Sequence, residues 1–484
     1  MLIRNIDKAT GPRKAGSIAY WIISYITATA LACALVLLAD HIGLSLTIFM
    51  IVAGIIILFG LSDFTVLARV VIIVFPLIQT LIFPHTNFNI TGPKALASLA
   101  FLTLASVFCA CVLRPGCIRL PRPPWAFYAF VFVIIVGALI GIPSLKQIPN
   151  YFLALSVVQS ISVGPYLIVW LVTPCLILLT CFICSLLAAN SRDPHAFILP
   201  AFAPALIFSC VVIAHASLQN VSLNELAGQE ARGYLSSLGL HANEIGLMMN
   251  MAFALSLFTL NSPSCKSYRA LVAITSAVSL FAVLLTFSRA AYFGMFISFL
   301  YLAFLKKTWF SFALLAIITL SVICAAPETM LERSQQGISN GDIASLSTGR
   351  FDGIWLPLLP ELTTRPFFGN GHGSILWSEA ARQQQILPVG HPHSAYLSAL
   401  ADVGLIGTAV FAVFYFEIWR TFRKLVRVLN PGLLHGFFQG ASVCVLIMFI
   451  QGLTDDSFVP SYTHAYLWLS YGVALGFKTR LNVT

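Results

Sequence analysis

Long apolar runs, each about 20 residues, recur along almost the whole chain and are broken by short polar, proline-rich or basic turns. A run of that length crosses a hydrocarbon layer as a helix, so the pattern predicts spanning helices. They fall approximately at 18–38, 44–60, 66–83, 95–112, 125–142, 164–188, 197–214, 243–260, 268–287, 290–305, 309–326, 395–419, 434–452 and 463–477. The expected fold class is therefore an all-α polytopic membrane protein of about 14 transmembrane helices, with 12 to 14 as the range. The least defined stretch is 44–83, where Asp63 and Arg69 crowd a short connection. Only two exterior connections hold several ionisable groups, a large one at 327–394 and a shorter one at 215–242. Residues 1–484 read as a single transmembrane domain with one large exterior loop.

Composition agrees with this pattern: 59% of the 484 residues are apolar and only 9% are charged, too few for a soluble domain to cover its surface. The apolar run Ile18 to Leu38 follows Arg4, Lys8, Arg13 and Lys14 and is too long for a cleaved leader, so it reads as an uncleaved first span. The eleven cysteines lie mostly inside apolar runs, where thiols act as small hydrophobes, and no disulfide is expected.

Charge then sets the orientation. The net +10 does not collect in one domain, which argues against nucleic-acid binding. With the N-terminus inside, 19 of the 27 Lys and Arg residues fall on cytoplasmic connections, as translocation bias requires. Both termini are then cytoplasmic and the 327–394 loop is exterior.

The basic residues left outside need a reason. Arg289, in Phe287-Ser288-Arg289-Ala290, stands at a tight connection between two apolar helices. Arg232 stands in Glu230-Ala231-Arg232-Gly233, shortly before Asn243 and Gly246. A guanidinium at the membrane boundary is costly unless it faces an anion or a polar cavity, so both are binding candidates beside the plainer reading of snorkelling to lipid phosphate. Arg350 and Arg365, in the long loop, read first as surface charges. His391-Pro392-His393 opens the 395–419 span; histidine is suited to accept a proton near neutral pH, so a general base is the sharper reading and a helix-capping histidine the plainer one. The intervening proline is expected to point the two imidazoles apart. No further ligands accompany them, so no metal site is expected there. Asp455-Asp456 reads as a solvated turn before it reads as a cation site.

At these residues the sequence resembles the O-antigen ligase and polysaccharide polymerase family of membrane glycosyltransferases. His391-Pro392-His393-Ser394-Ala395-Tyr396-Leu397, with Asp402 and Gly404-Leu405-Ile406-Gly407, is similar to the family's His-Asn-x-Tyr-Leu and Glu-x-Gly-Leu-x-Gly pattern, with Ser394 in place of Asn and Asp402 in place of Glu. Gly349-Arg350, Trp355 and Pro366-Phe367-Phe368-Gly369-Asn370-Gly371 resemble its Gly-Arg, Trp and Pro-x-x-Gly-x-Gly stretch. Phe287-Ser288-Arg289-Ala290 resembles its Ser-Arg hairpin, and Arg232-Gly233 with Asn243 and Gly246 its earlier segment. The resemblance implies a GT-C-like fold in the bacterial inner membrane and a periplasmic active site. It implies transfer of an undecaprenyl-diphosphate-linked glycan to an acceptor glycan, either lipid A core or a growing polysaccharide, without cofactor or metal and with inversion. Carried over by residue, His393 with His391 would deprotonate the acceptor, Arg232 and Arg289 would hold the pyrophosphate, and Arg350 and Asn243 are secondary candidates. The motifs do not separate ligase, polymerase and protein glycosylation. The rival from another class is a transporter or flippase of lipid-linked glycans, which internal repeats would favour; the chain shows none.

Overall fold

The computed structural model describes residues 63–80, 92–113, 118–158, 160–191, 193–219, 222–227, 231–263, 268–324, 349–454 and 457–481, with Glu328 and Ser347. The spans expected at 18–38 and 44–60, most of 327–348 and Asp455-Asp456 lie outside the described residues. The described residues are all-helical, with α1 at Phe64–Val74, α2 at Gly92–Leu113, α3 at Trp125–Gly141 and α4 at Val163–Asn190. Next come α5 at His195–Leu218, α6 at Ala242–Leu260, α7 at Arg269–Leu285, α8 at Arg289–Lys306 and α9 at Trp309–Cys324. The series closes with α10 at Ala395–Val428, α11 at Leu433–Gln451 and α12 at Ala465–Leu481. Each span expected from 66–83 onward coincides with one of these helices. Eight of the described helices are long and apolar enough to cross a membrane.

Within a bilayer the helices gain no hydrophobic drive by meeting one another, so close approach of small residues holds them. On α12, Gly472 and Gly476 lie against the Cys181 and Ser185 carbonyls of α4, and a Cβ at either would overlap them. On α11, Gly436 and Gly440 meet the Phe258 and Ala254 carbonyls of α6 in the same way. Both pairs are four apart, one helical turn, so each places two glycines on one face. Aromatic stacking fills the centre, with Phe130, Phe414 and Trp468 packed ring on ring from three helices.

The two ends of the bundle differ. At one, Arg480 donates to the Ser191 carbonyl and Asn190 brackets the Arg119 backbone, so basic residues assigned to the cytoplasmic side gather together. At the other, the connections 142–162 and 349–389 share a small apolar core that includes Phe152, Ile354, Leu358, Ile375 and Trp377. Tyr151 Oη donates to the Ala381 carbonyl at 3.0 Å across it. The described part of the long connection is thus a cap packed on the bundle end.

Candidate functional site

His391 and His393 stand at the entrance to α10, where Ser394 caps the helix by accepting from Leu397 N. The two imidazoles are not pointed apart as expected: their ring centroids are 4.2 Å from each other. The reason is backbone geometry, because His393 adopts φ 52°, left-handed for a residue with a Cβ, and turns the chain back beside His391. The His393 N–H donates to His391 Nδ1 at 3.3 Å. Between them the Pro392 carbonyl accepts from Trp355 Nε1 at 2.8 Å. Trp355 sits at the end of a π-helical turn, Phe351–Trp355, which follows Arg350.

Arg350 is more than a surface charge, since its guanidinium donates to the Thr454 carbonyl beyond α11. Two residues earlier in that segment, the Gly452 carbonyl accepts from Ala395 N at 2.8 Å. Gln451 Nε2 reaches the Ala290 carbonyl at 3.4 Å, next to Arg289 at the first position of α8. Ser288, the α8 cap, donates to Asn243 Oδ1 at 2.7 Å on the first turn of α6. Arg232 lies in a 3-10 helix, Ala231–Leu238, fixed by Tyr234 Oη donating to the Leu285 carbonyl at 2.9 Å. A continuous set of contacts therefore joins the Arg232 segment, Asn243, Arg289, Arg350 and the histidine pair at one end of the bundle. The end of α11 stands between the cap and α8, a role that Gln451 and Gly452 gave no sign of in the sequence.

Burial pushes the Tyr234 phenol up to about 12, so it stays protonated and able to donate at neutral pH. His215 of α5 stacks on the Tyr234 ring and its Nε2 lies 3.0 Å from the Tyr234 carbonyl and from Ser237 Oγ. Two elements thus hold the 231–238 turn in place.

Beneath the histidine pair, the glycine-rich stretch and the start of α10 interlock. Asn370 N and Gly371 N donate to the Ala401 and Asp402 carbonyls, both at 2.8 Å. In return Leu405 N donates to the Pro366 carbonyl at 2.8 Å and Ile406 N to the Phe367 carbonyl at 3.2 Å. These two amides are available because Gly404, at φ 67° and ψ −171°, breaks the helical hydrogen-bond ladder. Only glycine takes that conformation without strain. Gly371, at φ 91°, lies so close to the Gly141 backbone of α3 that a Cβ there would overlap it. The glycines of both motifs thus build the scaffold under the site.

The interlock also buries a group that the sequence reading passed over. His372 has no exposure, its ring stacks on Trp170 of α4 at 5.3 Å, and its Nδ1 lies 3.8 Å from Asp402 Oδ2. Neither ring nitrogen has a hydrogen-bond partner. Asp402 accepts from Ser374 N and Oγ at 3.0 and 2.7 Å and from Ser398 Oγ at 3.2 Å. Tyr166 Oη donates to the His372 carbonyl at 3.0 Å. Asp402, Ser374 and Ser398 line a cavity of about 20 Å³ that His391 and Pro392 also border. That is room for one water.

Residues 274–412 match the family described as O-antigen ligase. The match spans Arg289, Arg350, the histidine pair, Asp402 and Gly404, and it leaves Arg232 and Asn243 before its first residue. No curated protein matches the chain. Together with the apolar helices, this match supports a membrane enzyme of the O-antigen ligase or polymerase type.

Proposed function

We propose that the protein transfers a glycan from an undecaprenyl diphosphate to a hydroxyl of an acceptor glycan, with His393 as general base and Arg289 and Arg232 as the pyrophosphate clamp. The site faces the periplasm in a bacterial inner membrane, with both termini cytoplasmic. The observation that carries the reading is the convergence of the Ser288-Arg289 turn and the His391–His393 pair at one bundle end, bridged by Gln451 and Gly452.

The chemistry follows from that geometry. The His393 N–H bond to His391 Nδ1 needs that nitrogen unprotonated, so neutral His391 carries its proton on Nε2. His391 then donates to substrate, and the His393 ring is left to take the proton of the acceptor hydroxyl as its oxygen attacks the anomeric carbon. The bond from that carbon to the diphosphate oxygen breaks, and negative charge grows on the leaving group. Arg289 meets it at the N-terminus of α8, where a helix favours anions; a cation placed at that end opposes the helix dipole, which is reasonable if a multiply charged anion binds there. Preorganised guanidinium groups stabilise charge where it develops. A donor anchored in the bilayer arrives at the depth of these residues, which lowers the entropic part of the barrier.

The test is transfer by the purified protein in proteoliposomes. His393→Ala should lower the rate about 100- to 10,000-fold, the range for loss of a general base, while lipid-linked donor still binds. Arg289→Ala should weaken donor binding as well. Transfer by the His393→Ala protein at the unaltered rate would refute the assignment.

A further inference from the structure

The 327–394 connection reads as an exterior loop, yet one part of it lies beside the outer turns of two spanning helices, below their ends. Two independent depth counts locate it. Leu405 precedes Arg420, the first of the basic residues near the inner end of α10, by fifteen residues, or about 22 Å of helix. On α3, Gly137 and Gly141 lie twelve and sixteen residues beyond Trp125, or about 18 and 24 Å from the inner end. The hydrocarbon layer is about 30 Å thick, so all three positions fall inside it. Pro366 and Phe367 are bonded to Leu405 and Ile406, and His372 N donates to the Gly137 carbonyl at 3.1 Å.

We propose that Pro366–Gly373 is a re-entrant segment that enters the leaflet on the site's side of the membrane and returns, with Phe367 and Phe368 lying among lipid chains. Irregular backbone survives at membrane depth only where its polar groups are paired with protein. Here Pro366 has no N–H to satisfy, Gly369 N donates to the Arg365 carbonyl at 2.9 Å, and Asn370, Gly371 and His372 donate to α10 and α3. The partners come from the Gly404 break on one side and a helix-end carbonyl on the other.

The exposed side chains say what covers the segment. Phe367 is 60% exposed and Phe368 65% exposed, unusual for phenylalanines in a well-paired stretch. They border Leu405 and Ile406, which open the exposed stripe that runs down α10 through Val413 and Phe416. The α3 face beside it presents Tyr128, Phe132 and Leu139. Phe367 and Phe368 extend an apolar surface already facing lipid. The inference rests on the membrane reading of α3 and α10 and not on the transfer chemistry.

Cysteine accessibility decides it. Phe367→Cys, Phe368→Cys and, as an aqueous control on the cap, Gln383→Cys would be made in the full chain and reconstituted in phosphatidylglycerol and phosphatidylethanolamine vesicles. A membrane-impermeant maleimide is then applied, with labelling read peptide by peptide. Position 383 should label at least tenfold faster than 367 and 368, which should react only after denaturation. The buried native thiols Cys181, Cys184 and Cys444 report in the same digest that each variant is folded. Labelling at 367 and 368 as fast as at 383 in folded protein would place the segment in water and overturn the proposal. Oxidative coupling between two copies at 367 or 368 would overturn it too, by showing that a second chain covers the patch. Either position alone decides if the other variant misfolds.

Discussion

Gly404→Ala is the sharpest perturbation of the scaffold under the histidine pair. The residue sits at φ 67° and ψ −171°, where any side chain costs about 1–3 kcal/mol. A Cβ built there would also stand 2.5 Å from the Phe367 carbonyl carbon and 2.6 Å from Gly369 N, backbone atoms with no rotamer to change. Relief requires the two segments to separate, which endangers the four backbone bonds linking 366–371 to 401–406. At about 0.5–1.5 kcal/mol net for each, they amount to roughly 2–6 kcal/mol. A local loss of about 3 kcal/mol or more is expected, or a shift of over 100-fold toward an unlatched cap. Two measurements test this. Limited proteolysis of vesicle-bound protein should cut within 349–394 much faster in the variant, and glycan transfer should fall with it. The bundle should remain assembled, with thermal exposure of Cys181, Cys184 and Cys444 to a thiol dye shifted only slightly, since helix packing elsewhere is untouched. Gly164→Ala serves as the control, because a Cβ there meets nothing within 4 Å. Equal cap protection and equal activity in the Gly404→Ala protein would refute the claim that this glycine latches the two motifs.

Trp355→Phe removes the donor to the Pro392 carbonyl and keeps most of the ring, so the expected stability loss is about 0.5–1.5 kcal/mol while transfer falls by a larger factor through misplacement of His391 and His393; steady-state kinetics beside a melting curve separates the two effects. Tyr234→Phe removes the bond that ties the Arg232 turn to Leu285 and should weaken donor binding more than it alters melting, as read by binding of lipid-linked donor to reconstituted protein. Because burial raises the Tyr234 phenol from an ordinary value of 10.0 to about 12, its contribution to stability is fully present below pH 10 and is lost as pH rises towards about 12. Alkaline melting curves of the unaltered protein should show that loss over the window, and those of Tyr234→Phe should show less of it.

Apolar run length and charge bias were enough, in the sequence alone, to predict helices at twelve places where the structure describes them, because a spanning helix satisfies its own backbone within one continuous stretch. The chemical candidates were legible for a related reason: Arg289, Arg232 and the histidine pair stand out against runs that exclude charge. What the tertiary structure decided involves residues distant in sequence. Proline next to two histidines predicts divergent rings, but the left-handed backbone at His393 brings them to 4.2 Å. Arg350 read as a solvated charge because nothing local predicts its bond to Thr454, 104 residues away. His372 went unnoticed because a histidine in a glycine-rich stretch looks exposed until α3, α4 and α10 close around it. The placement of Pro366–Gly373 beside those helices comes from the same cause: its Asn370, Gly371 and His372 amides are paired by helices that arrive from separate parts of the chain, and no local pattern encodes such pairing.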